Sequence, residues 1–121
     1  MIQLRQCLNI LFVLMLGTSM VIAQSRGDFR SASSGEWTNS SIWQIYNGSK
    51  WISAATSPGD SAMVVTISDK TNVVISARAQ AKTLVIRPAG KLRVEKGAFL
   101  ICSKGMKAEG QFENFGIIYV E

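Results

Sequence analysis

Residues Lys82 to Gly105 read KTLVIRPAGKLRVEKGAFLICSKG, and apolar pairs recur in them every eight positions. Leu84 and Ile86 are followed by Leu92 and Val94, then by Leu100 and Cys102. A spacing of two within each pair sends both side chains to one face of a strand. Turn-formers stand between the pairs: Pro88-Ala89-Gly90, Lys96-Gly97 and Lys104-Gly105. Glycine there supplies the positive φ that a tight corner needs. A strand this short cannot bury its apolar face alone, so the units are expected to stack on one another. The alternation turns Lys91 and Arg93 outward, with Arg87 and Lys96 at the corners. Phe99 and Ile101 also point outward and interrupt the basic run.

Working outward, Met63–Ile67 and Val73–Ser76 read as two earlier strands, with a turn at Asp69-Lys70. Ala77 to Ala81 reads as a soft connection, too short for a stable helix. Downstream, GQFENFGIIYV (Gly110 to Val120) places Phe112, Asn114, Ile118 and Val120 at even spacing around Gly116. An inward Asn114 would need a hydrogen-bond partner, which stacked Asn side chains could supply. Upstream, Ser57-Pro58-Gly59-Asp60 is the strongest breaker in the chain. Before it, Gly35 to Ala55 holds Trp37, Trp43 and Trp51, all three tryptophans. Asn47-Gly48 predicts a hairpin with arms at Ile42–Tyr46 and Lys50–Ala54. Gln24 to Ser34 is polar and reads as an extended lead-in.

Residues 1–23 carry one charge, Arg5, then the apolar run ILFVLML (Ile10 to Leu16), then Val21-Ile22-Ala23. This is the pattern of a secretory signal peptide, and the apolar run is short for a membrane span. The division is then signal peptide at 1–23, lead-in and Trp-rich cap at 24–57, and repeats at 58–121. Removing residues 1–23 leaves 98 residues, a net charge of +4 and one cysteine, Cys102. A single thiol closes no internal disulfide, so the exported chain is unstapled. There is no histidine, which removes the commonest general base and zinc ligand. No segment after residue 23 has a 3.6-residue period, so the fold class is all-β. The short glycine turns also admit an antiparallel meander or sandwich.

Catalytic patterns are lacking: no Cys/His pair, no phosphate-binding glycine loop and no metal-spaced cluster. Asp28, Asp60, Asp69, Glu95, Glu109 and Glu113 read as solvated charges. No cofactor is implied. Two features remain as candidate ligand-binding groups. Trp37, Trp43 and Trp51 form either a stacking platform for a sugar ring or a plug over the first strands. Arg87, Lys91 and Arg93 form either a surface for acidic polysaccharide or a solvated face that discourages edge pairing. Nucleic acid is disfavoured because aromatics are not interleaved with the charges.

Ser34-Gly35-Glu36-Trp37, Ser41-Ile42-Trp43, Trp51 and Pro58-Gly59-Asp60-Ser61 resemble the opening of large secreted bacterial proteins. AGKLRVEKGAFLICSKG and GQFENFGIIYV are similar to their β-helical repeat units. The layout resembles the G8 domain and other modules of pectate-lyase-like shape, over about Arg30 to Glu121. The resemblance implies a right-handed parallel β-helix with an N-terminal cap, stopping after about two coils. It implies a secreted or cell-surface location and an adhesion or carbohydrate-related role. Such lyases carry acidic calcium ligands on one face; no matching cluster stands here, so no catalytic residue carries over. The expected function is a non-enzymatic extracellular module that touches a cell-surface glycan, with no membrane contact after signal cleavage. The alternative is the N-terminal fragment of a polysaccharide-degrading β-helix enzyme with its active site beyond Glu121. An open C-terminal end is expected to self-associate.

Overall fold

A computed structural model describes residues 24–59 and 61–121. The expected signal peptide and Asp60 of the breaker lie outside the described residues. Thirteen strands follow one another in these residues, with a single 3₁₀ turn at Ser40–Ile42 and no α-helix. β1 (Phe29–Ser31), β2 (Gly35–Glu36), β3 (Trp43–Tyr46) and β4 (Trp51–Ser53) precede the breaker. β5 (Val64–Ile67), β6 (Asn72–Ile75) and β7 (Arg78–Ala81) follow it. Next come β8 (Thr83–Ile86), β9 (Lys91–Val94) and β10 (Phe99–Cys102), then β11 (Met106–Ala108), β12 (Gln111–Asn114) and β13 (Ile117–Val120).

From β5 onward the chain visits three sheets in rotation, and each strand pairs in parallel with the strand three later. The first sheet runs β11-β8-β5-β1-β3-β4, the second β12-β9-β6-β2 and the third β13-β10-β7. The eight-residue spacing is therefore the step from one sheet to the next. The repeats do not form an antiparallel meander or sandwich; among the described residues antiparallel pairing is confined to β1, β3 and β4. The rotation is completed three times, where the sequence reading allowed about two. Two strands are added: β11, which pairs with β8, and β7, in the stretch read as a connection, where Ala79 and Ala81 alternate inward beside Leu100 and Cys102. Alanine is too weak an apolar signal to announce a strand.

The inward pairs Leu84/Ile86, Leu92/Val94 and Leu100/Cys102 are all fully buried, as alternation predicts. They share one core with Val65, Ile67, Val73, Ile75, Trp37 and Trp43. Cap and repeats are thus packed together across the breaker. The lead-in is structured too: β1 sits between β5 and β3 in the first sheet. Ser31 anchors it, accepting from the Ser68 amide at 2.8 Å and lying 2.7 Å from the Thr71 hydroxyl. Thr71 donates its own proton to the Ser68 carbonyl, so Ser31 donates to Thr71. These buried hydroxyls are satisfied only by one another and by the first corner of the repeats. Asn114 stands at the inward register position beside Val94, but on the last described strand of its sheet it is exposed, and its side chain accepts from the Gly116 amide at 3.1 Å rather than from another Asn.

Candidate functional site

The predicted hairpin forms, with Tyr46 opposite Trp51. Asn47 Oδ1 accepts from the amides of Ser49 and Lys50, each at 2.9 Å, and Gly48 takes φ +103°. Antiparallel pairing then sorts the cap residues by face. Phe29 stands opposite Ile45 and Ser31 opposite Trp43 on the inner side. Arg30 faces outward opposite Gln44, whose Oε1 accepts from Arg30 Nε at 2.8 Å. Trp51 shares that outer side. The Arg30 guanidinium lies 4.3 Å from its ring centroid, and Tyr46 packs edge-on at 5.4 Å.

The three tryptophans consequently separate. Trp37 and Trp43 are 2% and 1% exposed and belong to the core. Trp43 Nε1 donates to the Trp37 carbonyl at 2.8 Å, and Trp37 Nε1 to the Pro58 carbonyl at 3.2 Å. Their rings meet edge to face at 5.0 Å. Neither offers a face to a sugar; both cover the first strands of the repeats, as the plug reading requires. Trp51 alone remains at a surface.

That surface is a cavity of about 230 Å³ on the outer side of the first sheet. Arg30 and Trp51 from the cap meet Val64 and Thr66 of β5 there, and Ser68, Asp69 and Arg87 close the corner side. Register builds the wall: Arg30 pairs with Thr66, and Thr66 with Val85. Asp28 also borders the cavity, but its carboxylate is turned into the fold, accepting from the amides of Ser25 and Val64. Asp69 accepts from the Ala89 amide at 2.9 Å and stands 3.9 Å from Arg87 Nε. Arg30 uses Nε on Gln44, and its terminal nitrogens make no hydrogen bond or ion pair among the described residues. The cavity is therefore rich in donors beside an aromatic wall.

The expected basic face is divided. Arg87 stands at the corner of the first sheet, away from Lys91 and Arg93 on the outer side of the second. Lys91 and Arg93 are interleaved with acids. Arg93 lies 2.9 Å from Glu95 and 3.8 Å from Glu113, and Lys91 lies 3.7 Å from Glu113. Parallel pairing sets Glu113 beside Arg93 from the next turn of the chain, which spacing alone does not reveal. Arg93 Nε and Glu113 Oε1 lack an aligned hydrogen bond, and half-exposed pairs of this kind are worth about 1 kcal/mol or less. Of the six candidate residues, only Trp51 and Arg87 line this cavity. The structure adds Arg30 and Thr66, which the sequence did not single out, and Asp69, read there as a turn residue and solvated charge. Arg30 and Thr66 needed the strand register to be found.

Among the described residues no three His, Cys, Asp or Glu gather to hold a metal ion. No protein-family model, no curated protein and no solved structure matches the chain.

Proposed function

We propose that residues 24–121 are the capped start of a right-handed parallel β-helix, and that it serves outside the cell as a non-enzymatic module binding an acidic glycan in the Trp51 cavity. Parallel in-register pairing of strands that rotate through three sheets supports the fold reading. So does the likeness of the Trp and Gly-Asp signals to secreted β-helical proteins. The observation that carries the function is the meeting of Trp51, Arg30 and Arg87 around one cavity. An aromatic wall packs against the apolar side of a sugar ring. Guanidinium groups donate to carboxylate in paired, charge-assisted hydrogen bonds, and Thr66 and Ser68 can exchange hydrogen bonds with ring hydroxyls.

Calorimetry with an oligogalacturonate, a polymer of uronic acids, tests this. Arg87→Gln or Trp51→Ala should weaken binding about tenfold or more, the scale of one lost charge-assisted contact. Raised salt should weaken it further, and a neutral glucan of equal length should bind poorly. The double variant Lys91→Gln, Arg93→Gln should bind like the parent. Affinity indifferent to Arg87 and Trp51, or lost with Lys91 and Arg93 instead, would refute the assignment.

A further inference from the structure

The outer side of the third sheet is built differently from the other two. Arg78 and Gln80 of β7, Phe99 and Ile101 of β10, and Ile117 and Tyr119 of β13 form two columns in register. Arg78, Phe99 and Ile117 make one column; Gln80, Ile101 and Tyr119 make the other. Ile117 is 59% exposed, Tyr119 56% and the adjoining Phe115 55%. Arg78 is exposed as well, and Gln80, Phe99 and Ile101 are partly so. An apolar patch of contiguous side chains on a small domain marks an interaction surface.

The rim decides what kind of surface. The Arg78 guanidinium lies 5.7 Å from the Phe99 ring centroid. Lys96 stands at the corner before β10, and Lys82 and Lys104 at the corners after β7 and β10. The Lys104 amide donates to the Lys82 carbonyl, so those two corners are stacked. None of these four cations joins an ion pair among the described residues. On the acidic side stand Glu121 and Glu95, and Glu95 is engaged by Arg93.

We infer that this face docks on an anionic lipid surface, with Phe115, Ile117 and Tyr119 entering the headgroup boundary and the cationic rim meeting lipid phosphates. A second copy of the chain fits less well, because packing this face on itself would set one cationic rim against another. A glycan fits less well because the branched side chains of Ile101 and Ile117 alternate with the rings of Phe99 and Tyr119 and break up any flat aromatic area. No helix of the described residues is long and apolar enough to cross a membrane, so the contact is with the surface of the bilayer. Such docking runs against the expectation, drawn from the sequence, of no membrane contact after signal cleavage; only the register of β10 with β13 joins Phe99 and Ile101 to Ile117 and Tyr119.

Hydroxyl-radical footprinting of the full chain tests the inference. Vesicles of phosphatidylglycerol and phosphatidylcholine should protect Phe115, Ile117 and Tyr119 from oxidation, while pure phosphatidylcholine should not. Ile52, on the hairpin of the first sheet, is the internal reference and should oxidise equally with both. Anchoring by residues 1–23 would not produce that selectivity. Arg78→Gln and Lys104→Gln should each lower partition into anionic vesicles about fivefold. Unchanged oxidation at 115, 117 and 119 with anionic vesicles would overturn the inference. Protection that appears without vesicles, grows with protein concentration and extends from the edge strand β13 to Phe99 and Ile101 of β10 would also overturn it, in favour of a second copy laid on this face.

Discussion

Cys102 stands on β10 between Ala81 and Val120 with no exposed surface. Burial in this apolar setting raises its thiol from 9.0 to about 11, because the thiolate loses its hydration. The sign follows from the unfolded chain, which ionises first. Below pH 9 both states hold the proton and the group is neutral in its effect. Between pH 9 and about 11 the unfolded chain releases the proton and the folded chain does not, so stability falls as pH rises, by about 3 kcal/mol in all. Urea melts from pH 8 to 11 should show this loss in the parent and not in Cys102→Ala, after subtraction of the other groups they share. Equal pH slopes in the two proteins would mean that the thiol is hydrated. The inward place of Cys102 was legible from the alternation of its strand. The fates of Trp37 and Trp43 were not, since platform and plug use the same residues and only packing separates them.

Corners between strands depend on glycine in two distinct ways. Gly97 and Gly105 take φ of +86° and +112°, the conformation that the sequence reading expected of every corner. Gly90, Gly110 and Gly116 do not have positive φ, and there the requirement is space. A Cβ on Gly116 would lie 2.5 Å from the Glu95 carbonyl oxygen and 2.6 Å from that of Ala98. A Cβ on Gly110 would collide with the carbonyls of Arg87 and Gly90. These carbonyls belong to the preceding turn of the chain, so the corners stack as closely as the strands do. Backbone atoms cannot swing aside as a flexible side chain can. Gly116→Ala should therefore destabilise by about 1–3 kcal/mol, whereas Gly59→Ala, with nothing within 4 Å, should be near neutral. Thermal melts of the two variants check this; a Gly116→Ala melt like the parent's would show that the corners are further apart. The turn positions were readable from composition, but the stacking was not, because it joins residues about twenty apart whose spacing has no fixed value.

At the scale of the whole molecule the two ends differ. The cap lays β1 on β5 and β2 on β6 and covers the first turn with Trp37 and Trp43. The clustering of the tryptophans ahead of the repeats was legible in the sequence, but packing alone assigns Trp37 and Trp43 to the cover. The cavity was not legible, because it needs Arg30 from the supposed lead-in beside Arg87, brought together by the rotation of strands. At the other end β11, β12 and β13 are each the last strand of their sheets among the described residues. The amides of Glu109, Gln111, Phe115, Ile117 and Glu121 donate back to Ile86, Gly90, Val94, Ala98 and Cys102. Alternation leaves the intervening amides, Ala108 among them, facing away from the stack. Three parallel edges side by side are a template for further pairing. A chain that stops at Glu121 should accordingly associate end to end, with a sedimentation coefficient that rises with concentration. Ala108→Pro deletes one outward donor while leaving the Glu109 bond to Ile86 in place, and should shift the equilibrium towards monomer. Ile117→Asn alters the lateral face of the third sheet without deleting an edge donor, and should leave this association largely intact. A parent chain that remains monomeric at high concentration would show that the open edges are protected by some other means.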